Sequence, residues 1–161
     1  MRVQDLMTQD VKTCGPDDPL STPAGLMNAH DCGSVPVVGS DGRIIGMLTD
    51  RDICMAALRH AVPLEGIRVA EAMARQVCSV RPDDTLETAA GMMRRHQVRR
   101  LPVVDPAGRV VGLLSLGDLA RRTDPGAVDD RAGEVAAREL AATLGAVSQP
   151  RRIRRDGTEA A

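Results

Sequence analysis

Two aspartates, Asp52 and Asp118, each stand three residues behind a hydroxyl, Thr49 and Ser115, and each hydroxyl follows a glycine and two aliphatic residues. The stretches are Gly46-Met47-Leu48-Thr49-Asp50-Arg51-Asp52 and Gly112-Leu113-Leu114-Ser115-Leu116-Gly117-Asp118, 66 residues apart. The aliphatic pair reads as the end of a buried strand, the hydroxyl as its stopping point, and the aspartate as part of a first helical turn. A helix start leaves backbone N–H groups free and carries partial positive charge, so a phosphate is stabilised there. Thr49 or Ser115 can donate to a phosphate oxygen. Asp52 or Asp118 can accept from a ribose diol, as carboxylates do after strand–helix turns on other folds. The plainer reading makes the hydroxyls N-caps and the aspartates first-turn acids. Two copies at one offset favour the ligand reading.

The elements that position these residues are themselves duplicated. Residues 3–54 align with 69–120 without a gap, and roughly twenty of about fifty positions are identical. Pro16-Asp17-Asp18 repeats as Pro82-Asp83-Asp84, His30 as His96, Pro36-Val37-Val38 as Pro102-Val103-Val104, and Gly42-Arg43 as Gly108-Arg109. An internal duplication decides the architecture. Each copy reads as a short helical turn (Val3–Met7, Val69–Met73), a strand near Val11–Cys14 or Val77–Val80, and a Pro-Asp-Asp turn. A helix follows, on which Leu20, Ala24 and Met27, or Leu86, Ala90 and Met93, form one buried stripe. Asp84 with Glu87 suggests a capping box there. Two strands come next, Val35–Val38 with Ile44–Leu48 and Leu101–Val104 with Val110–Leu114, and a helix beginning near Asp50 or Leu116 closes the unit. The order β-α-β-β-α, twice, predicts an α/β protein whose two short halves pack together. The units are residues 1–60, a connector 61–68 with Pro63 and Gly66 as breakers, residues 69–123, and a C-terminal part 124–161. In that last part a helix is expected over 129–145, with Val135, Leu140 and Leu144 on overlapping apolar faces. Residues 146–161, with Arg151-Arg152-Ile153-Arg154-Arg155, read as a disordered basic tail.

Composition narrows the chemistry. The chain has 161 residues and no Phe, Tyr or Trp, so its core is aliphatic and no ring is available for stacking bases. A net charge of −1 argues against nucleic-acid binding by the whole chain. No signal peptide or membrane-length apolar run is present, which points to the cytoplasm. Cys14, Cys32, Cys54 and Cys78 show no zinc-ligand spacing and read as buried small hydrophobes. The position of Cys14 and Cys78 near the repeat starts leaves a disulfide between them as the alternative. His30 and His96 read as helix C-terminal partners rather than metal ligands. No nucleophile–base pair, metal cluster or P-loop is visible, so an enzyme is not expected.

Two copies of G-h-h-[ST]-x-x-[DN], each behind h-P-V-V and a Gly-Arg turn, resemble a tandem cystathionine-β-synthase (CBS) domain pair over about residues 1–122. The strings GMLTDRDI and HQVRRLPVV resemble the small stand-alone two-CBS proteins of actinobacteria, the mycobacterial hypoxic-response type among them. The resemblance implies two repeats stacked through their sheets about a pseudo-twofold axis, with clefts that take AMP, ADP, ATP or S-adenosylmethionine as regulatory ligands. It implies that Asp52 and Asp118 hold ribose, that Thr49 and Ser115 approach phosphate, and that Val35, Pro36, Leu101 and Pro102 line an adenine slot. Arg99 and Arg100 occupy the positions where nucleotide-sensing members, such as the kinase gamma subunit, carry phosphate-binding His and Arg. The first repeat has Gly33-Ser34 there, so the two clefts are expected to differ. The resemblance implies a homodimer; no required cofactor and no metal are expected, and the output is expected to pass to an unidentified protein target or through the C-terminal helix. The competing reading is a ligand-independent stress or interaction protein whose clefts are vestigial.

Overall fold

The computed structural model describes residues 1–122 and 131–149. Each half is built on a β-hairpin. β1 (Ser34–Val38) pairs antiparallel with β2 (Ile44–Thr49), and β3 (Arg100–Val104) with β4 (Val110–Ser115). The registers correspond, with Pro36 opposite Met47 and Pro102 opposite Leu113. Because successive side chains point to opposite faces, Val35, Val37 and Leu48 enter one core, and Leu101, Val103 and Leu114 the other. Gly42 and Gly108 take φ of 76° and 82° in the hairpin turns, a region glycine enters without steric cost.

Helices flank the hairpins. They are α1 (Ser21–Ala29), α2 (Asp50–His60), the short α3 (Val69–Ala72), α4 (Leu86–His96), α5 (Leu116–Arg122) and α6 (Arg131–Val147). The expected stripe is realised, with Leu20 and Met27 in the first core and Ala90 and Met93 in the second. His30 caps the end of α1 and His96 ends α4.

Two local expectations change. The strands near Val11–Cys14 and Val77–Val80 shrink to single parallel bridges, Cys14 with Val37 and Val80 with Val103. The Pro-Asp-Asp turns follow at once: Asp18 accepts from the Gly15 N–H (2.8 Å) and Asp84 from the Arg81 N–H (2.7 Å), turning the chain off the ladder. Asp84 is therefore not the cap of α4. Thr85 is, its Oγ1 accepting from the Thr88 N–H at 3.1 Å.

The larger finding is an exchange between the halves. Val3, with Leu6 and Met7 beside it, packs in the second core, whereas Ile67, Val69 and Met73 pack in the first. Each Pro-Asp-Asp turn holds the other repeat's lead-in. Asp84 and Pro82 carbonyls accept from the Val3 and Gln4 N–H groups (2.9 and 3.0 Å), and Asp18 and Pro16 carbonyls accept from Val69 and Ala70 (both 2.9 Å). Val3 and Val69 are fully buried, each burial contributing about 1.5–3 kcal/mol. Neither half completes its core alone. At the pseudo-twofold axis Arg43 and Arg109 bridge antiparallel, and the Ile44 N–H donates to the Gly108 carbonyl at 3.1 Å.

α6 runs two residues past the expected 145 and packs on α4 and α5. Arg94 donates to Thr143 Oγ1 (3.2 Å), Gln97 to the Ala146 carbonyl (3.4 Å), and Val147 enters the second core. Residues 146 and 147 thus belong to a helix and not to a tail, while Arg151–Arg155 and the side chain of Val135 lie outside the described residues. All four cysteines are free thiols, and the expectation that all are buried is corrected at Cys54, which is exposed on α2. Cys14 lies in the first core and Cys78 packs against the second, which removes the disulfide alternative.

Candidate functional site

Each motif ends as a reciprocal cap. Thr49 Oγ1 accepts from the Asp52 N–H at 3.2 Å, while Asp52 Oδ2 accepts from the Thr49 N–H at 2.9 Å and from its hydroxyl at 2.6 Å. Ser115 and Asp118 repeat the pattern: Asp118 Oδ2 accepts at 2.7 Å from both the Ser115 N–H and its hydroxyl. The hydroxyl accepts from the Asp118 N–H at 3.2 Å. The plainer reading of the motif is thus realised in both halves.

The two caps are not alike. Asp118 Oδ1 is also bound by the Arg121 guanidinium, whereas the position matching Arg121 in the first half is Met55. Asp118 is buried, and Arg121 leaves three-quarters of its side chain in solvent.

The motif glycines have a structural purpose. A Cβ on Gly46 would lie 2.7 Å from the Met73 sulfur and 3.1 Å from the Ala74 carbonyl. One on Gly112 would lie 2.5 Å from the Met7 sulfur and 3.2 Å from the Thr8 carbonyl. Reciprocal backbone bonds, Met47 with Ala74 and Leu113 with Thr8, hold these segments down at 2.9–3.0 Å. The exchange of lead-ins needs glycine at both places.

Arg99, Arg100 and Ser115 line one open cleft of about 460 Å³ together with Leu116, Gly117 and Ala120. Among the described residues, Leu140 and Leu144 of α6 form a further wall. Three of the four residues expected at phosphate are therefore together; the fourth, Thr49, caps α2 in the other half. Asp118 follows Gly117 directly. Val35 and Leu101 have no exposed surface and pack in the two cores, Pro36 and Pro102 are buried next to them in the strands, and none of the four is among the residues lining this cleft.

Arg100 also reaches across the halves. A Cβ on Gly33 would meet its Nη2 at 3.2 Å and Asp50 Oδ2 at 3.1 Å. The second half's Arg100 guanidinium thus lies beside Gly33 together with the Asp50 carboxylate of the first half. Next to Gly33, Ser34 is buried, and its hydroxyl has no hydrogen-bond partner. Sequence reasoning missed α6 as a wall of the cleft. The only signal for it was its apolar spacing, which says nothing of where a helix docks.

A duplicated β-hairpin unit with exchanged lead-ins and a capped G-h-h-[ST]-x-x-[DN] motif in each half defines a CBS domain pair. The chain belongs to the CBS-domain family, whose model matches residues 3–59 and 69–124. It is 41% identical over 118 residues to the CBS domain-containing protein YhcV of Bacillus subtilis, covering 73% of this chain and 82% of that one. It is 33% identical, with the same coverage, to hypoxic response protein 1 of Mycobacterium tuberculosis. Among solved structures, the CBS domain pair of protein MJ0100 in complex with 5′-methylthioadenosine and S-adenosyl-L-methionine superposes with a TM-score of 0.69 at 25% identity. That match covers 77% of this chain and all of that one. CBSX2 in complex with AMP has a TM-score of 0.64 at 27% identity, covering 75% and 94%. The solved hypoxic response protein carries two coordinated zinc ions (TM-score 0.68, 32% identity, coverage 75% and 98%). Among the described residues of this chain, no three His, Cys, Asp or Glu side chains gather as a metal site would require.

Proposed function

We propose that this chain is a regulatory module that binds an adenosyl ligand of the AMP, ADP, ATP or S-adenosylmethionine class and reports occupancy through its conformation. The convergence of Arg99, Arg100 and Ser115 in one cleft carries this reading. Guanidinium groups provide forked, charge-assisted contacts to phosphate, and a 460 Å³ cleft falls within the roughly 300–1,000 Å³ of small-molecule sites. The adenosyl ligands of the MJ0100 and CBSX2 structures support the ligand class. In this reading Asp118 takes the ribose hydroxyls once Arg121 swings into solvent, and Asp52 and Thr49 play the matching roles in the first half. The units are residues 1–60, the connector 61–68, residues 69–123 and the C-terminal part 124–161. The module works as a cytoplasmic homodimer without catalysis and passes its state to a protein partner. The enzymes it matches share only a small part with it: 26% of an inosine-5′-monophosphate dehydrogenase and 23% of a homoserine O-acetyltransferase. No helix among the described residues is long and apolar enough to cross a membrane.

A second reading has its own observation. Both motif hydroxyls and both aspartates already satisfy one another, as a purely structural motif would. Thermal unfolding followed by far-ultraviolet circular dichroism separates the two in an aromatic-free chain. A bound nucleotide at a hundred times its dissociation constant adds about 2.7 kcal/mol of stability. An unchanged midpoint with every adenosyl ligand supports the ligand-independent interaction protein.

A further inference from the structure

α6 lies outside both CBS matches, which end at residue 124, yet it forms part of the cleft that holds Arg99, Arg100 and Ser115. Its residues 140, 143, 144 and 147 fall on one stripe at helical spacing. Burial along that stripe is uneven. Thr143 is fully buried and bonded to Arg94, and Val147 is in the second core, which fixes the C-terminal end of α6 against α4. Leu144, between them, keeps 51% of its surface exposed, because it faces the cleft and not the core.

The cleft is therefore two-sided. Arg99, Arg100 and Ser115 offer positive charge and a hydroxyl, and Leu116, Ala120, Leu140 and Leu144 offer aliphatic surface. A bare phosphate would satisfy the first side and leave the second wet. An anion carrying a flat apolar body would satisfy both, with the body between α5 and α6. A chain without aromatic side chains has only aliphatic surface to offer such a body.

We propose that Leu140 and Leu144 are ligand-contacting specificity residues of the second-half cleft, and that α6 is the element whose order reports occupancy. This rests on the nucleotide reading above and adds to it a wall that the CBS repeats do not contain. Ligand that buries Leu144 binds the docked position of α6 better than an undocked one, so it shifts that equilibrium towards docking.

The test is titration of the full chain with AMP, ATP and S-adenosylmethionine, combined with amide hydrogen exchange over residues 138–149. The variants are Leu144→Ser, the conservative Leu144→Met, and Leu58→Ser as a control on the exposed face of α2. Half-exposed Leu144 tolerates substitution without loss of the fold, which circular dichroism verifies. Leu144→Ser is expected to weaken binding about tenfold and to abolish ligand-induced slowing of exchange in α6. Leu144→Met and Leu58→Ser should bind as the unaltered chain does. Equal binding by Leu144→Ser, with α6 exchange unmoved by ligand, overturns the role of α6 and leaves the nucleotide reading standing. Failure of the unaltered chain to bind any of the three overturns that reading, and this inference with it.

Discussion

Met7 lies across Gly112: a methyl group on that glycine would sit 2.5 Å from the methionine sulfur, with the Thr8 carbonyl 3.2 Å away. A residue from the start of the first repeat thus closes over the motif strand of the second. The sulfur is at the end of a flexible side chain and can move. The Thr8 carbonyl accepts from the Leu113 N–H and the Thr8 N–H donates to the Leu113 carbonyl, both at 2.9 Å, so this backbone cannot move freely. Gly112→Ala should cost about 1–3 kcal/mol in denaturant unfolding. Gly46→Ala, against Met73 and Ala74, should cost about as much, because the contact is repeated there. A neutral result at both would mean that the lead-ins are not held as described.

The Arg121–Asp118 pair sets a second expectation. Arg121 is mostly solvent-exposed, so the pair contributes about 0–1 kcal/mol to stability. If Asp118 receives ribose hydroxyls, that contact competes with the ligand. Arg121→Ala should then tighten AMP binding, by up to about fivefold, while leaving the unfolding midpoint nearly unchanged. Weaker binding would show that Arg121 serves the ligand instead of restraining Asp118.

Thiol chemistry gives a pH dependence. Burial pushes the Cys14 thiol up to about 12, and the Asp18 carboxylate adds to the shift; burial raises Cys78 as well. Unfolded, these thiols ionise near pH 9. The native state therefore keeps protons that the unfolded state loses, and stability falls as pH rises from about 9 towards 12. Below pH 9 the contribution is constant. The chain has no tyrosine and one lysine, which leaves thiols as much of what titrates in that window. Cys14→Ala should flatten the alkaline decline measured by urea unfolding, and an unchanged slope would contradict the assignment. In the folded protein at pH 8, exposed Cys54 should react with a thiol reagent well before buried Cys14.

The repeat made both hairpins legible in the sequence. The strand pairs and the start of α2 at Asp50 and α5 at Leu116 fall where the motif places them, because a glycine, two aliphatics and a cap are local signals. What the halves do to each other was not legible. Val3 and Val69 are the same residue at the same repeat position, so no pattern can tell which core each fills. The reach of Arg100 to Gly33 depends on the packing of the two hairpins, and the docking of Leu140 and Leu144 depends on α6 meeting α4. These are long-range contacts, invisible to periodicity. The cap of α4 falls one residue beyond Asp84 because Asp84 and Thr85 are both capping types, and Asp84 is already engaged with Arg81.

Isothermal titration calorimetry with AMP, ADP, ATP and S-adenosylmethionine tests the central claim most directly, on the unaltered chain and on an Arg99→Ala/Arg100→Ala variant. It needs no aromatic fluorescence. Charge-assisted hydrogen bonds contribute about 1.5–3 kcal/mol each, so the account predicts saturable binding of at least one nucleotide, weakened tenfold or more in the variant. No heat from a folded protein, or equal affinity in the variant, would contradict it.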